Sequence, residues 1–518
     1  MEYDVIVVGS GISGGLVSIL LANYGFSVCL LNKSENIYES NTYYAQGGIV
    51  YSGENDSPEL LAKDIDTAGG GICNPEIVKI VSENAYQLVK EILIEKIGVE
   101  FSKNPEGLFD LTEEGAHSTR RILHVDDTTG KSIEEKIIEK IKNIKNINVL
   151  NNFTAIDIIT IDHHTKHRLR MYKPITALGI YALNNKTKKV EKIESKIVIL
   201  ATGGMGQIYL HTTNPLVATG DGYAMSARAG CRLVNMEYTQ FHPTTLYHPG
   251  ANNFLISEAV RGEGAIILNT RGEEFMHKYH PLKELAPRDI VTRSILNEML
   301  ENGEKFVYLD ATRIGKEKVK QRFPNIYKKC LEYGIDISVE PIPIVPAFHF
   351  SCGGILTDSF GRTNIERLFA VGEVACTGLH GANRLASTSL LEGVVFAKRI
   401  ADFIKENAQH YKLIEKYEVA EWIDTGIMET IDPALTNQDW NLLKNIMWNY
   451  VGAIRSKKRL RRAIIDLNNL KEDIENFYRD AKLSRNIIEL RNAVQTGLIV
   501  AQQALANRES IGAHYRID

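Results

Sequence analysis

The sequence predicts an α/β chain: a Rossmann-like nucleotide fold, an α+β capping domain inserted into it, and a three-helix bundle at the C-terminus. Three observations predict it. Near the N-terminus a Val/Ile-rich run, Tyr3 to Val8, leads into the turn Gly9-Ser10-Gly11-Ile12-Ser13-Gly14. Far downstream, Leu368-Phe369-Ala370-Val371-Gly372-Glu373 is another apolar strand that closes on a glycine. In the last fifth of the chain glycine becomes scarce and apolar residues recur at three- and four-residue spacing, as amphipathic helices require.

The elements follow in order. Residues 3–8 alternate little, which marks a strand covered on both faces of a parallel sheet. Gly9 and Gly11 permit a tight turn with close backbone approach, and Gly14 permits close helix–strand packing. Residues 12–23 read as the helix and Ser27 to Leu31 as the second strand. That strand–turn–helix–strand setting gives the glycine pattern its meaning: a pyrophosphate at a helix N-terminus. Ile197 to Leu200 is another buried strand, ending in Ala201-Thr202-Gly203-Gly204. Asp162-His163-His164-Thr165-Lys166-His167 reads as a solvated connection; as a metal site it lacks a cysteine or a second spaced cluster. Trp440 to Ile454, Lys457 to Phe477 and Ser484 to Asn507 read as the three helices of the bundle. The basic run Arg455-Ser456-Lys457-Lys458-Arg459-Leu460-Arg461-Arg462 reads as a solvated helix face, with a partner surface as the alternative. The expected division is 1–230 for the first part of the nucleotide-binding domain, 231–345 for the cap, 346–405 for its second part and 415–518 for the bundle.

Composition bounds the function. With 518 residues the chain is long enough for two or three domains. A net charge of −4 gives no reason to expect nucleic acid. No apolar run approaches the roughly 18 residues of a membrane span. The strand at residue 3 leaves no room for a signal peptide. Six cysteines without a Cys-x-x-Cys pair make no disulfide framework, so a reducing cytoplasm is expected, and any iron–sulfur cluster belongs on a partner.

The cofactor reading sharpens from glycine turn to FAD through Gly372-Glu373, where Glu373 is placed to hold flavin ribityl hydroxyls. One position departs from the usual pattern. After the second strand, where dinucleotide folds place Asp or Glu for a ribose hydroxyl, the chain reads Leu31-Asn32-Lys33. Asn32 or Lys33 must serve the ribose or its surroundings differently. The segment Asn41-Thr42-Tyr43-Tyr44-Ala45-Gln46-Gly47-Gly48 offers hydroxyls, an amide and small residues suited to a flavin ring approached by backbone.

Six further segments carry a resemblance. They are Tyr44-Ala45-Gln46-Gly47-Gly48, Gln240-Phe241-His242-Pro243-Thr244, Arg261-Gly262-Glu263-Gly264, Ala286-Pro287-Arg288-Asp289, His349-Phe350-Ser351-Cys352-Gly353-Gly354 and Gly378-Leu379-His380-Gly381-Ala382-Asn383-Arg384. In this order the chain resembles the succinate dehydrogenase/fumarate reductase flavoprotein family along nearly its whole length, and within it the branch that oxidises an amino acid. The resemblance implies non-covalent FAD, because Asn41 stands where respiratory members carry the flavin-linked histidine. Ala155, Asp221, Ser389 and Leu390 complete the implied cofactor contacts. It implies oxidation of L-aspartate to iminoaspartate in NAD (quinolinate) biosynthesis, reoxidation by oxygen or fumarate, and hand-off of the product to quinolinate synthase. Two positions depart from the family pattern: Ile511 stands where arginine is common, and Ser257 where threonine is, keeping the hydroxyl.

Aspartate carries two carboxylates and one ammonium, so its site needs two cationic or hydrogen-bonding clusters and one anion. Arg384 suits bidentate carboxylate binding. His242, His349 and the Ser257 hydroxyl add donors. Glu114, in Thr112-Glu113-Glu114-Gly115-Ala116-His117, matches the glutamate that faces the substrate amine in the amino-acid-oxidising branch. Arg288 matches the family's proton-transfer arginine, with Glu258 and Arg261 as its relay, three residues apart and so on one helix face. A soluble fumarate reductase or succinate dehydrogenase subunit is the competing reading; it shares every residue but the role of Glu114. A flavin-binding scaffold without turnover explains the glycine turn and Glu373, not the basic constellation.

Overall fold

The computed structural model describes residues 2–251, 253–412, 417–424, 426 and 432–518. The expected start of the bundle at residue 415 lies outside them. Strand β1 (Glu2–Val8) ends in four consecutive buried residues. It pairs in parallel with β2 (Val28–Asn32), which pairs in parallel with β3 (Ile147–Asn151). Three strands then follow, each antiparallel to the next: β4 (Phe153–Thr160), β5 (Ala177–Asn184) and β6 (Lys189–Leu200). In β6 two environments meet. Its first half, Lys189 to Glu194, pairs with β5, and its apolar second half lies parallel to β1, Val5 opposite Ile197. On the other side Val198 to Leu200 pair with the returning strand Leu368–Ala370. The sequence shows only that second half, because the first half is too polar to read as a buried strand.

Helix α1 (Ile12–Asn23) covers one sheet face and is buried almost throughout. Its approach depends on missing side chains. A Cβ on Gly14 would stand 1.9 Å from the Gly9 carbonyl oxygen. A Cβ on Gly15 would stand 2.4 Å from Ile137, on the neighbouring helix α2 (Thr129–Lys142). Gly9 itself sits at φ +112°, a conformation few other residues adopt, with Ala201 backbone where a Cβ would go.

Helix α3 (Asp221–Arg228) follows the sheet. The cap is then an antiparallel four-stranded sheet: β7 (Thr239–Leu246), β8 (Ile266–Leu268), β9 (Val307–Asp310) and β10 (Ile342–Ser351), in spatial order β7-β10-β9-β8. It carries the short helix α4 (Glu258–Gly262), the longer α5 (Arg288–Asn302) and its own apolar core. Position 345/346, the expected end of the cap, falls inside β10. Helix α6 (Thr388–Glu406) returns across α1.

The chain ends in α7 (Pro433–Val451), α8 (Lys457–Asp480) and α9 (Arg485–Ala506), which pack on one another. α7 starts seven residues before Trp440, because Pro433 at its first turn and the Asp432 cap extend it. Leu443, Met447, Leu460 and Leu467 share a core with sheet residues such as Ile158 and Leu200, so this unit is fused to the nucleotide domain.

Two local readings are corrected. The basic run at 455–462 is not a uniformly solvated face. Arg455 is fully buried and donates to the Glu237 carbonyl at 2.7 Å, Thr239 Oγ1 at 2.7 Å and His514 Nδ1 at 2.6 Å. Nor is the segment after β4 an open loop: Ile161 and Thr165 are buried, and His164 packs edge-on to Tyr181. Among the described residues no group of three metal-ligating side chains occurs, and no helix is long and apolar enough to cross a membrane.

Candidate active site

One cleft of about 440 Å³ runs from the glycine turn to the cap. At its nucleotide end lie Gly9, Ser10, Gly11, Ile12 and Ser13, where the N-terminus of α1 offers its unpaired amides to a phosphate group. Gly14 does not line the cleft; its role is the close packing described above. Asn32 and Lys33 do line it. Lys33 Nζ is held by Asp221 at 2.7 Å, Glu489 at 2.8 Å and the Thr219 hydroxyl at 2.7 Å. Lysine thus stands where an acid is usual, and it recruits Asp221 from α3 as the carboxylate at that place. Ala155 lies beside them.

The middle of the cleft is lined by Asn41, Thr42, Tyr44, Ala45, Gln46, Gly47 and Gly48, and opposite them by Glu373, Ser389 and Leu390. Tyr43 is absent from the lining; it stacks edge-on with Tyr44 outside. Glu373 accepts from Asn41 Nδ2 at 2.7 Å and from the Ser351 amide at 3.0 Å. Burial pushes its carboxyl up to about 7, against those two donors. Asn41 Oδ1, Gln46 Oε1 and Thr202 Oγ1 are buried along this wall with no protein partner. Buried polar atoms in native proteins are paired, so these three fit a polar cofactor such as FAD. Thr202 and Gly204 were missed by the sequence reading, although an apolar strand closing on Gly-Gly is the same signal that marked Gly372.

At the cap end the expected substrate and proton-transfer residues converge. His242 on β7 and His349 on β10 face each other across neighbouring antiparallel strands, ring centroids 5.5 Å apart. His242 Nδ1 lies 3.1 Å from the Thr244 carbonyl, and His349 Nδ1 lies 2.8 Å from the Thr213 hydroxyl. Burial, then Arg288 for His242 and Arg384 for His349, push both rings well below the ordinary histidine range. Both are neutral hydrogen-bonding groups at neutral pH.

Arg288 is the first residue of α5, and its Nε donates to Glu258 Oε2 at 2.5 Å. Arg261 lies behind Glu258, at 3.8 Å, outside the cleft lining, and also donates to the Glu284 carbonyl. Burial would raise the Glu258 carboxyl, but Arg288 and Arg261 outweigh it and hold it at about 2. Burial would lower Arg288, but Glu258 and Glu114 outweigh it and raise it. Arg384 is lowered to about 10, first by burial and then by Arg288. Its guanidinium lies 4.9 Å over the Phe350 ring, and its Nε has no protein partner. Ser257 caps α4 and lines the cleft beside Glu258. Glu114 accepts from Ser387 at 2.7 Å. Ile511 lies away from the cleft, packed on Tyr238, Phe350, Cys352 and Ala382.

A glycine-cradled cleft for a dinucleotide, opening into a pocket of arginines and histidines, defines an FAD-dependent flavoprotein acting on a small dicarboxylate. The comparisons agree. Residues 4–390 match the FAD binding domain family, and residues 440–518 the fumarate reductase flavoprotein C-terminal family. A solved quinol–fumarate reductase with menaquinol superposes with a TM-score of 0.88 at 27% identity, over 100% of this chain and 92% of that one. L-aspartate oxidase of Yersinia pestis is 41% identical over 99% of this chain and 96% of its own length. That of Acinetobacter baylyi is 42% identical over 100% and 93%. The chain belongs to the L-aspartate oxidase family.

Proposed function

We infer that the protein oxidises L-aspartate to iminoaspartate with FAD, the step that begins NAD biosynthesis through quinolinate. The observation that carries this is the composition of the cap-end pocket: Arg288 and Arg384 with two neutral histidines for two carboxylates, and Glu114 among them for an ammonium. FAD bound along the cleft supplies the two-electron acceptor for the hydride that leaves the substrate α-carbon. Asn41, in place of a histidine, leaves the flavin non-covalent.

Arg384, with its unpartnered Nε, takes one carboxylate. His242, His349 and the Ser257 hydroxyl donate to the carboxylates without adding charge. Glu114 orients the ammonium. Arg288 accepts the proton that must leave with the hydride, from the β-carbon or the nitrogen. As a resting guanidinium it is already protonated, so it takes that proton only by passing its Nε–H to Glu258, 2.5 Å away. Arg261 steadies the relay. Fumarate has the same two carboxylates, so this pocket admits it as an acceptor alongside oxygen. Iminoaspartate hydrolyses in water, which favours direct hand-off to quinolinate synthase. All six cysteines are free, in keeping with a cytoplasmic location.

Arg288→Leu tests the proton role. The variant is expected to purify yellow, with FAD bound, and to lose reduction of the flavin by L-aspartate. Substantial residual reduction removes Arg288 from the proton step.

A further inference from the structure

Ser387 is built against its local preferences. It is the N-cap of α6, yet its φ is +58°, where a residue with a Cβ is uncommon, and its side chain makes no cap bond to its own helix. Its hydroxyl is used elsewhere. Ser387 Oγ donates to Glu114 Oε2 at 2.7 Å and accepts from the Gly48 amide at 3.2 Å. Its carbonyl accepts from the Val50 amide at 3.2 Å, which fixes the backbone to the segment that follows Gly48. The other Glu114 oxygen faces Gly47, where a Cβ would come within 2.7 Å of Oε1. The carboxylate is therefore clasped between Ser387 and a glycine, three residues from Arg384.

We propose that Ser387 is a specificity-positioning residue: it aims the Glu114 carboxylate at the substrate ammonium and ties that aim to the cofactor-lining Gly47-Gly48 segment. A hydroxyl with a fixed backbone is needed for this, because Glu114 comes from an irregular segment with no helix or strand to hold it. The proposal rests on the reading of Glu114 as the amine contact.

The test compares Ser387→Ala, Ser387→Gly and Glu114→Gln as FAD-loaded enzymes, using KM for L-aspartate and the inhibition constant of succinate, which has the carboxylates without the ammonium. Both Ser387 variants are expected to raise KM for L-aspartate roughly tenfold while changing succinate inhibition by less than about twofold, the loss of one charge-assisted hydrogen bond. Ser387→Gly relaxes the backbone and Ser387→Ala does not, so equal effects assign the loss to the hydroxyl. Equal losses for aspartate and succinate, or Ser387 variants that match wild type while Glu114→Gln shifts aspartate alone, overturn the proposal. If Glu114→Gln moves both ligands alike, the amine contact itself is wrong and the proposal falls with it.

Discussion

In the proposed relay, Glu258 is the residue that takes the proton from Arg288. Its carboxyl is held at about 2 because two arginines outweigh its burial. A folded value below the ordinary 4.5 stabilises the protein above that pH, and the contribution is lost as pH falls toward about 2. Glu258→Gln keeps the shape, and its amide oxygen can still accept the hydrogen bond from Arg288 Nε, but it cannot take up the proton. Its kcat is expected to fall by about two orders of magnitude or more, the scale of a lost general acid–base group, with FAD retained. Stopped-flow flavin reduction by L-aspartate checks this; a kcat within a few-fold of wild type contradicts the relay. His242, His349, Arg288 and Arg384 were named from the sequence because each lies in a segment that carries the family resemblance, and all four line one cleft. Ser387 and Thr213 were not. Their importance lies in what they hold, Glu114 and His349, and a partner 273 or 136 residues away leaves no mark on local sequence.

At the scale of elements, the turn from β1 to α1 and the buried arginine before α8 make opposite lessons. The turn was read correctly because steric need is local. Gly14→Ala places a methyl 1.9 Å from a backbone oxygen, so it is expected to yield protein that purifies without flavin. A normal absorbance ratio for bound FAD would contradict that. Arg455 was misread because its context is a run of charges, and a charged run is usually solvated. Its partners are Glu237 and Thr239 at the entrance to β7, which carries His242, and His514 in the tail. Arg455→Leu takes the buried donor away from the Thr239 hydroxyl and the His514 ring and leaves the Glu237 carbonyl with the Thr239 amide alone, at an expected cost of about 3 kcal/mol. Chemical denaturation measures that loss, and proteolysis is expected to cut the segment after α9 first. Arg455→Lys is expected to restore little, since a single ammonium cannot span the carbonyls, hydroxyl and ring that the fork reaches.

Across the whole molecule, nucleotide domain and cap line one cleft, the C-terminal helices reach it through Glu489 on Lys33, and the charge states of buried histidines connect site to stability. His514 Nδ1 accepts from Arg455 and its Nε2 lies 3.2 Å from the Asn507 carbonyl, so the ring is neutral. Burial and then Arg455 lower it from 6.5 to about 3. Unfolded chains take up that proton below 6.5 and the native state does not until about 3, so stability falls with pH through this window. His242 and His349 add to the same slope. Thermal unfolding of His514→Asn is expected to depend less on pH between about 6 and 4 than wild type does. An unchanged slope would place the proton uptake elsewhere. The fold class was legible because the glycine turn, the Gly-Glu return and the change in periodicity are strong local signals. The fusion of the C-terminal helices to the sheet was not, because amphipathic spacing shows that a face is buried and not what it is buried against.

The most direct test of the whole account is an anaerobic absorbance titration of the oxidised flavoprotein with L-aspartate, D-aspartate and succinate in turn. Bleaching of the flavin band by L-aspartate alone is the predicted result, since it requires the carboxylate pocket, Glu114 and Arg288 together. Bleaching by succinate and not by L-aspartate would contradict it, and would make this site one for dicarboxylates in which Glu114 contacts no amine.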